Sequence, residues 1–399
     1  MNQLRPDAKA RKRFTRQSRE RKRSMHRRSF ITSLFLLILG TPIVSLQAAP
    51  EVNLTADTVA RYISGLPVEN AALPASLQNL ADFRAQRQFF ERRWSELEPQ
   101  RLDPMRSWAS RELTAARSDA ETLFYPFGGP DFLHAFTFFP NANRYIHFGL
   151  EPPGVMPDLL NMNQKETAEM LTLIRKSLFA VLEWSFFRTN DMKVDLIRSR
   201  MGAAPLILSF IARSGNEVLK VDYVELDASG NLVTVSAPNN TPAYQGPVKG
   251  IRVYFRKSES AAPQEVIYFS LDVSDSAYSS NKRLHTFIQK QQGVVTYLKA
   301  ASYLMHYASF NRIRGLILEE SKHILQTDSG IPYGYFSPAQ WNLTLYGTYT
   351  SPIPLFRKRY QADLRSAYVK SAEPLPFGIG YNYRKGTSNL MLASKKDSQ

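Results

Sequence analysis

Ile251-Arg252-Val253-Tyr254-Phe255-Arg256 is the stretch that decides the fold class. Its apolar side chains recur at every second position, the period of a strand with one face on a core and one in water. The same alternation occurs upstream, where Leu219, Val221 and Tyr223 interleave with Lys220 and Asp222. It occurs again downstream, where Ile267, Phe269, Leu271 and Val273 interleave with Tyr268, Ser270 and Asp272. The polar turn Ala228-Ser229-Gly230-Asn231 leads into a further short run at 232–235. Short polar links between such runs predict an antiparallel β-meander over about residues 217–273.

Outward from the meander the period changes to that of a helix. Leu171, Ile174, Leu178, Val181, Leu182 and Phe186 form one stripe over 163–187, and a second helix is expected over 191–212, restarting at Pro205. Leu80, Phe83, Phe90, Trp94 and Leu97 form a similar stripe, and Asp103-Pro104 reads as a helix start, so 51–120 is expected to be a helical hairpin. Between these regions, 121–160 is broken by Pro and Gly, and its apolar runs 136–139 and 145–150 read as short buried strands. Residues 279–326 read as helix with breaks at Gly293 and Phe310-Asn311, and 341–349 as a strand. Helix and strand runs are segregated, which argues for an α+β fold: a helical N-terminal hairpin and an antiparallel meander packed with amphipathic helices.

The N-terminus carries a different message. A basic run ends at Arg27-Arg28, a 17-residue apolar segment spans 30–46, and Gln47-Ala48-Ala49-Pro50 follows. Positive, apolar, then small is the order of a secretory leader. Met25 is an alternative start, and Arg27-Arg28 before the apolar run also fits a twin-arginine leader. The segment is short for a bilayer span of ~20 residues, so cleavage near Ala48 or Ala49 is expected, with an uncleaved inner-membrane anchor as the alternative. The expected organisation is therefore 1–49 as leader, 50–120 as the helical segment, and 121–399 as the α+β domain, the last two forming one unit. The protein would work in the periplasm or outside the cell.

Charge and cysteine content exclude several classes. The chain is +16 overall, but residues 1–49 hold 12 Lys/Arg and 2 Asp/Glu, leaving 39 basic and 33 acidic residues, a mild +6. No concentrated basic stripe remains, which argues against nucleic acid as a partner. Membrane contact is expected only if the leader stays attached. With no Cys, there is no disulfide, lipoprotein anchor, thiol nucleophile or Cys-ligated metal. His134, His147, His285, His306 and His323 never fall at ligand spacing, and nothing points to a metal or a cofactor. Ser279-Ser280-Asn281-Lys282 matches Ser-x-x-Lys without the elements that would accompany it, and reads as a helix start.

Two segments place an Asp where Gly and Pro restrict the backbone. The first runs from Phe124 through Tyr125-Pro126-Phe127-Gly128-Gly129-Pro130-Asp131 to His134, and the second is Asp328-Ser329-Gly330-Ile331-Pro332-Tyr333. If Asp131 and Asp328 met, they could form an acid/base pair, with Glu151 or His134 assisting; otherwise each caps a turn. These segments, with Gly149-Leu150-Glu151-Pro152, resemble a group of exported bacterial proteins over about residues 120–395. The resemblance implies no activity, ligand or catalytic residue. The leading expectation is an envelope protein that binds a ligand or envelope component without catalysis. The alternatives are a hydrolase or lyase on an envelope polymer through Asp131 and Asp328, and a membrane-anchored interaction protein.

Overall fold

A computed structural model describes residues 54–69, 73–187, 196, 201–236 and 249–397, with backbone only at 278–281. The leader and the stretch expected to begin a helix at 191 lie outside the described residues, apart from Leu196 and 201–203. Ten strands form one mixed sheet in the order β4-β3-β5-β6-β2-β1-β7-β8-β10-β9. They are β1 Thr122–Tyr125, β2 Arg144–Gly149, β3 Glu217–Leu226, β4 Leu232–Val235, β5 Lys249–Arg256, β6 Gln264–Ser270, β7 Val294–Leu298, β8 His323–Gln326, β9 Trp341–Gly347 and β10 Asn389–Lys395. The α+β expectation holds in that helices accompany a mixed sheet.

The centre of that sheet is parallel. β6, β2, β1, β7 and β8 all run the same way, with Leu123 opposite both Tyr145 and Val295, Tyr145 opposite Val266, and Tyr297 opposite Leu325. Numbered along the chain, these five strands stand in the order third, second, first, fourth, fifth. The chain therefore winds outward in two directions from β1, and the reversal lies between β1 and β7. Both faces of these strands are covered. One face carries Leu123, Tyr145, Val266 and Val295 against α6 Phe132–Phe138, α7 Gln164–Trp184 and α8 Ala204–Arg213. The other carries Phe124, Ile146, Ile267 and Ile324 against α9 Tyr278–Gln289, α10 Asn311–Glu320 and α11 Ala362–Ser371. Burial of every residue on both faces explains why β1, β7 and β8 show no apolar–polar alternation.

Antiparallel wings flank this centre. β5 pairs with β3 and β6, and Ile251, Val253 and Phe255 are its buried face, as its alternation predicted. The path is not a simple meander, because β4 folds back on the outer edge of β3 while β5 joins its inner edge. In β3 Val218, Val221 and Tyr223 pack on one core, the last two half-buried, while Val224 and Leu226 are buried in the core on the other face. A bulge between Val218 and Lys220 shifts the register by one residue, which is why Val218 shares a face with Val221 and Tyr223 rather than with Val224 and Leu226. β10 is antiparallel to β8 and to β9, closing the opposite wing.

Two other expectations change, and a third changes in part. Residues 136–139 are not a strand; they end α6, whose seven residues are all buried, and a short apolar run does not reveal which period it follows. The stretch 279–326 is not helix throughout, for β7 and β8 lie inside it between helices. A helix does begin at Asp103-Pro104, but Asp103 is its first residue and not its cap. α3 Ala81–Leu97 passes through a π-turn, Glu98–Leu102, straight into α4 Asp103–Glu112, and no side chain caps that junction. The wider turn absorbs the backbone donor that Pro104 lacks. α1 Ala56–Ile63, α2 Ala75–Gln78 and α5 Thr114–Asp119 complete this region. Residues Val52–Gln399 form one compact unit.

Candidate functional site

The site is built where β1 and β7 end. After β1 the chain turns through Pro126-Phe127-Gly128-Gly129-Pro130 and enters α6 at Asp131. The Asp131 carboxylate caps that helix, accepting from the His134 backbone N–H at 3.4 Å. The same carboxylate gathers three side chains. Tyr125 donates its hydroxyl to Oδ2 at 3.0 Å, and His134 donates through Nδ1 to Oδ1 at 2.8 Å. Lys299, the residue directly after β7, donates Nζ to Oδ2 at 2.6 Å and stands 3.1 Å from His134 Nδ1. Asp131 is 1 % exposed, His134 0 % and Lys299 2 %.

Electrostatics fixes the charge states. Burial alone would raise the Asp131 carboxyl, but the neighbouring His134 and Lys299 hold it well below the usual carboxylate range. Burial pushes the His134 imidazole down to about 4 against the pull of Asp131, so it is neutral at pH 7. Lys299 is therefore the cation that keeps Asp131 ionised. Burial also lowers the Lys299 ammonium, and Asp131 opposes that shift. Tyr297, whose ring lies 4.6 Å from that of Tyr125, is likewise buried. The hydroxyl of Tyr297 and the Nε2 atoms of His134 and His147 have no hydrogen-bond partner.

Lys299 also donates to the carbonyl of Ser185, just past the end of α7. Arg101 donates to the carbonyls of Leu182 at 3.1 Å and Glu183 at 2.8 Å on the same terminus. Two cations thus meet the negative end of a 21-residue helix. Backbone strain concentrates here too. Among the described residues, the non-glycine positions with positive φ are Phe127 at 63°, Ser185 at 68° and Ala300 at 54°. Each adjoins or belongs to this site, and each such conformation costs roughly 1–3 kcal/mol that the surrounding contacts offset.

In front of this cluster is a cavity of about 470 Å³ at the carboxyl ends of β1, β2, β6 and β7. Its walls are mainly apolar, including Phe127, Phe148, Phe187, Leu271, Leu304 and Phe310, and Asp131, Glu151 and Lys299 also line it. Glu151 lies two residues beyond β2 and is 1 % exposed. The Tyr268 hydroxyl from β6 lies 2.9 Å from its carbonyl and 3.1 Å from Oε2. Gly149 makes room for this arrangement. A Cβ there would lie 2.3 Å from Glu151 Oε2 and 2.6 Å from the Tyr268 hydroxyl.

The four candidate residues are distributed as follows. Asp131 and Glu151 share one cavity, and His134 stands behind Asp131. Asp328 lies elsewhere, beyond the end of β8. It accepts from the Tyr303 hydroxyl and, at 3.2 Å, from Asn389, and it borders a small separate cavity with Ile331, Tyr333 and Tyr368. Burial raises its carboxyl, and Tyr303 and Asn389 oppose that shift. Asp131 and Asp328 have no hydrogen-bonding partner in common. Sequence reasoning missed Lys299, Tyr125 and Tyr268. The available signal for Lys299 was a lysine closing the strand-like run Val294-Val295-Thr296-Tyr297-Leu298, which had been expected to lie within a helix.

Among the described residues no group of three His, Asp or Glu is placed to hold a metal ion, and no helix is long and apolar enough to cross a membrane. No family model, no curated protein and no solved structure matches the chain.

Proposed function

We propose that this is an exported protein that binds a small organic molecule in the cavity between the carboxyl ends of β1, β2, β6 and β7. The observation that carries the reading is the cavity's position. In open sheets wound in two directions, the crevice beside the reversal point is where ligands bind, because the loops on either side part there. Its volume of about 470 Å³ lies within the ordinary range for small-molecule sites, and apolar walls with a few inward polar groups are their usual chemistry.

A binding role is favoured over acid/base hydrolysis by the state of the carboxylates. Asp131 is ionised, caps α6 and is paired with Lys299, so it carries no proton to give near neutral pH. Asp328 lies in another cavity, so the Asp131–Asp328 pair is not assembled, and the other carboxylate beside Asp131, Glu151, is engaged by the Tyr268 hydroxyl. The ordered positive, apolar and small segments of 1–49 support export.

Native and denaturing mass spectrometry of the protein from its own host tests both parts. The expected denatured mass is that of a chain beginning near Ala49 or Pro50. The expected native mass exceeds it by one discrete compound, which is lost when Ala301 on the cavity wall is changed to Trp. An unprocessed N-terminus in the membrane fraction refutes export of a free protein. A native mass that remains bare, with no compound from host extract shifting the melting temperature, refutes the binding role.

A further inference from the structure

We propose that the ligand is a nucleoside without phosphate, held through its ribose hydroxyls by Glu151. This rests on the binding role proposed above and names the ligand class for that cavity. Three features carry it.

The first is the strand order of the parallel centre, third-second-first-fourth-fifth, which is the order of nucleotide-binding doubly wound sheets. In such sheets a glycine-bearing turn follows the first strand, and an acidic residue about 20 positions further on accepts from a ribose hydroxyl. Here Gly128-Gly129 follows β1, and Glu151 comes 22 positions after Gly129, just past β2. The second feature is the placement of Glu151. Its carboxylate lies on the cavity wall, positioned by Tyr268, and a Cβ on Gly129 would stand 3.6 Å from Oε2. The closeness of Gly129 and Gly149 to this carboxylate gives a ribose a route to it. Phe127, Phe148 and Phe310 provide apolar faces for a base.

The third feature separates this cavity from a dinucleotide site. There, a pyrophosphate sits at the N-terminus of the helix after the first strand. Here that position is filled by the chain itself. Asp131 caps α6, and its charge is matched by Lys299 at 2.6 Å. A phosphate at this point would meet a carboxylate in place of a free backbone donor. Lys299, the cation among the described lining residues, already faces Asp131 and the Ser185 carbonyl.

The test is titration calorimetry on the processed full chain with adenosine, S-adenosylmethionine, 2′,3′-dideoxyadenosine, 5′-AMP and NAD. The expected result is binding of adenosine or S-adenosylmethionine, at least tenfold weaker binding of 5′-AMP and NAD, and at least tenfold weaker binding of the dideoxy compound than of adenosine. A site built around a hydroxyl rejects the analogue that lacks it. In Glu151→Gln the preference for adenosine over its dideoxy analogue should collapse. The unmutated comparison keeps the test decisive should that variant fold poorly. Equal binding of the dideoxy compound, or tighter binding of 5′-AMP or NAD, overturns the proposal. If no nucleoside binds while native mass spectrometry still finds a compound that Ala301→Trp displaces, this inference fails and the binding role stands. If no compound is found either, both fail.

Discussion

At the scale of single residues, the Lys299–Asp131 contact joins the end of β7 to the start of α6 beside the cavity. Two opposite charges at 2.6 Å and almost complete burial are favourable together and costly apart. Lys299→Met should therefore destabilise the protein by about 3–5 kcal/mol, because it leaves an uncompensated buried carboxylate. Adding Asp131→Asn removes that charge, so the double variant should be more stable than Lys299→Met alone. Urea unfolding of the four proteins measures the coupling. Strictly additive losses would show that the two groups do not act as a pair. Tyr125 and Lys299 could not have been assigned to this cluster from spacing alone. Asp131 and His134 were visible as an i, i+3 pair, but their third member comes 168 positions after Asp131 in the chain.

At the scale of elements, legibility followed burial. β5 was readable because its two faces meet different surroundings, and alternation records that difference. β1, β7 and β8 have both faces buried, so their runs carry no period, and β7 and β8 disappeared into neighbouring helical patterns. Since Lys299 belongs to the end of β7, losing the strand also lost the residue. The loop after β2 shows a different kind of constraint. Gly154 and Gly202, with φ of 71° and 67°, face one another where two backbone segments cross, and the Ala203 and Ala204 N–H groups donate to the Pro152 and Pro153 carbonyls at 2.8 Å. A Cβ on Gly154 would stand 2.1 Å from the Met201 carbonyl. Gly154→Ala should lower stability by about 1–3 kcal/mol or more. Gly215→Ala is the control, with φ of 78° but nothing within 4 Å of its added Cβ. Equal losses in thermal melts of the two variants would show that the crossing is not a tight contact.

At the scale of the whole molecule, buried imidazoles make stability depend on pH. His134, His147 and His306 are each pushed by burial from 6.5 to about 4. Below pH 6.5 the unfolded chain takes up protons that the folded chain refuses until about pH 4, so stability falls as the pH drops through that window. The lowered Asp131 carboxyl contributes in the same direction, but at more acidic pH, below its unfolded value of 3.8. The melting temperature should drop by on the order of 5–10 °C between pH 7 and pH 5. Circular dichroism melts across that range check this, and His147→Gln should give a shallower slope. A flat profile would mean that these histidines protonate freely in the folded state. The leading sequence expectations of helices with an antiparallel β region describe the sheet's wings and part of its cover. The parallel centre that places the cavity depends on pairings between distant parts of the chain, which no local pattern records.

Those distant pairings set an order of events. Thr122 of β1 lies beside Arg144 of β2, but its neighbour on the other side is Val294, 172 positions later (294 minus 122). Until that part of the chain has emerged, the strand at the middle of the finished molecule is an open edge with both faces apolar. The buried ion pair is later still, for Asp131 must wait for Lys299. The pocket is thus among the last things to come into being. A chain cut short anywhere before residue 299 therefore has no cavity to fill, however well its earlier parts fold.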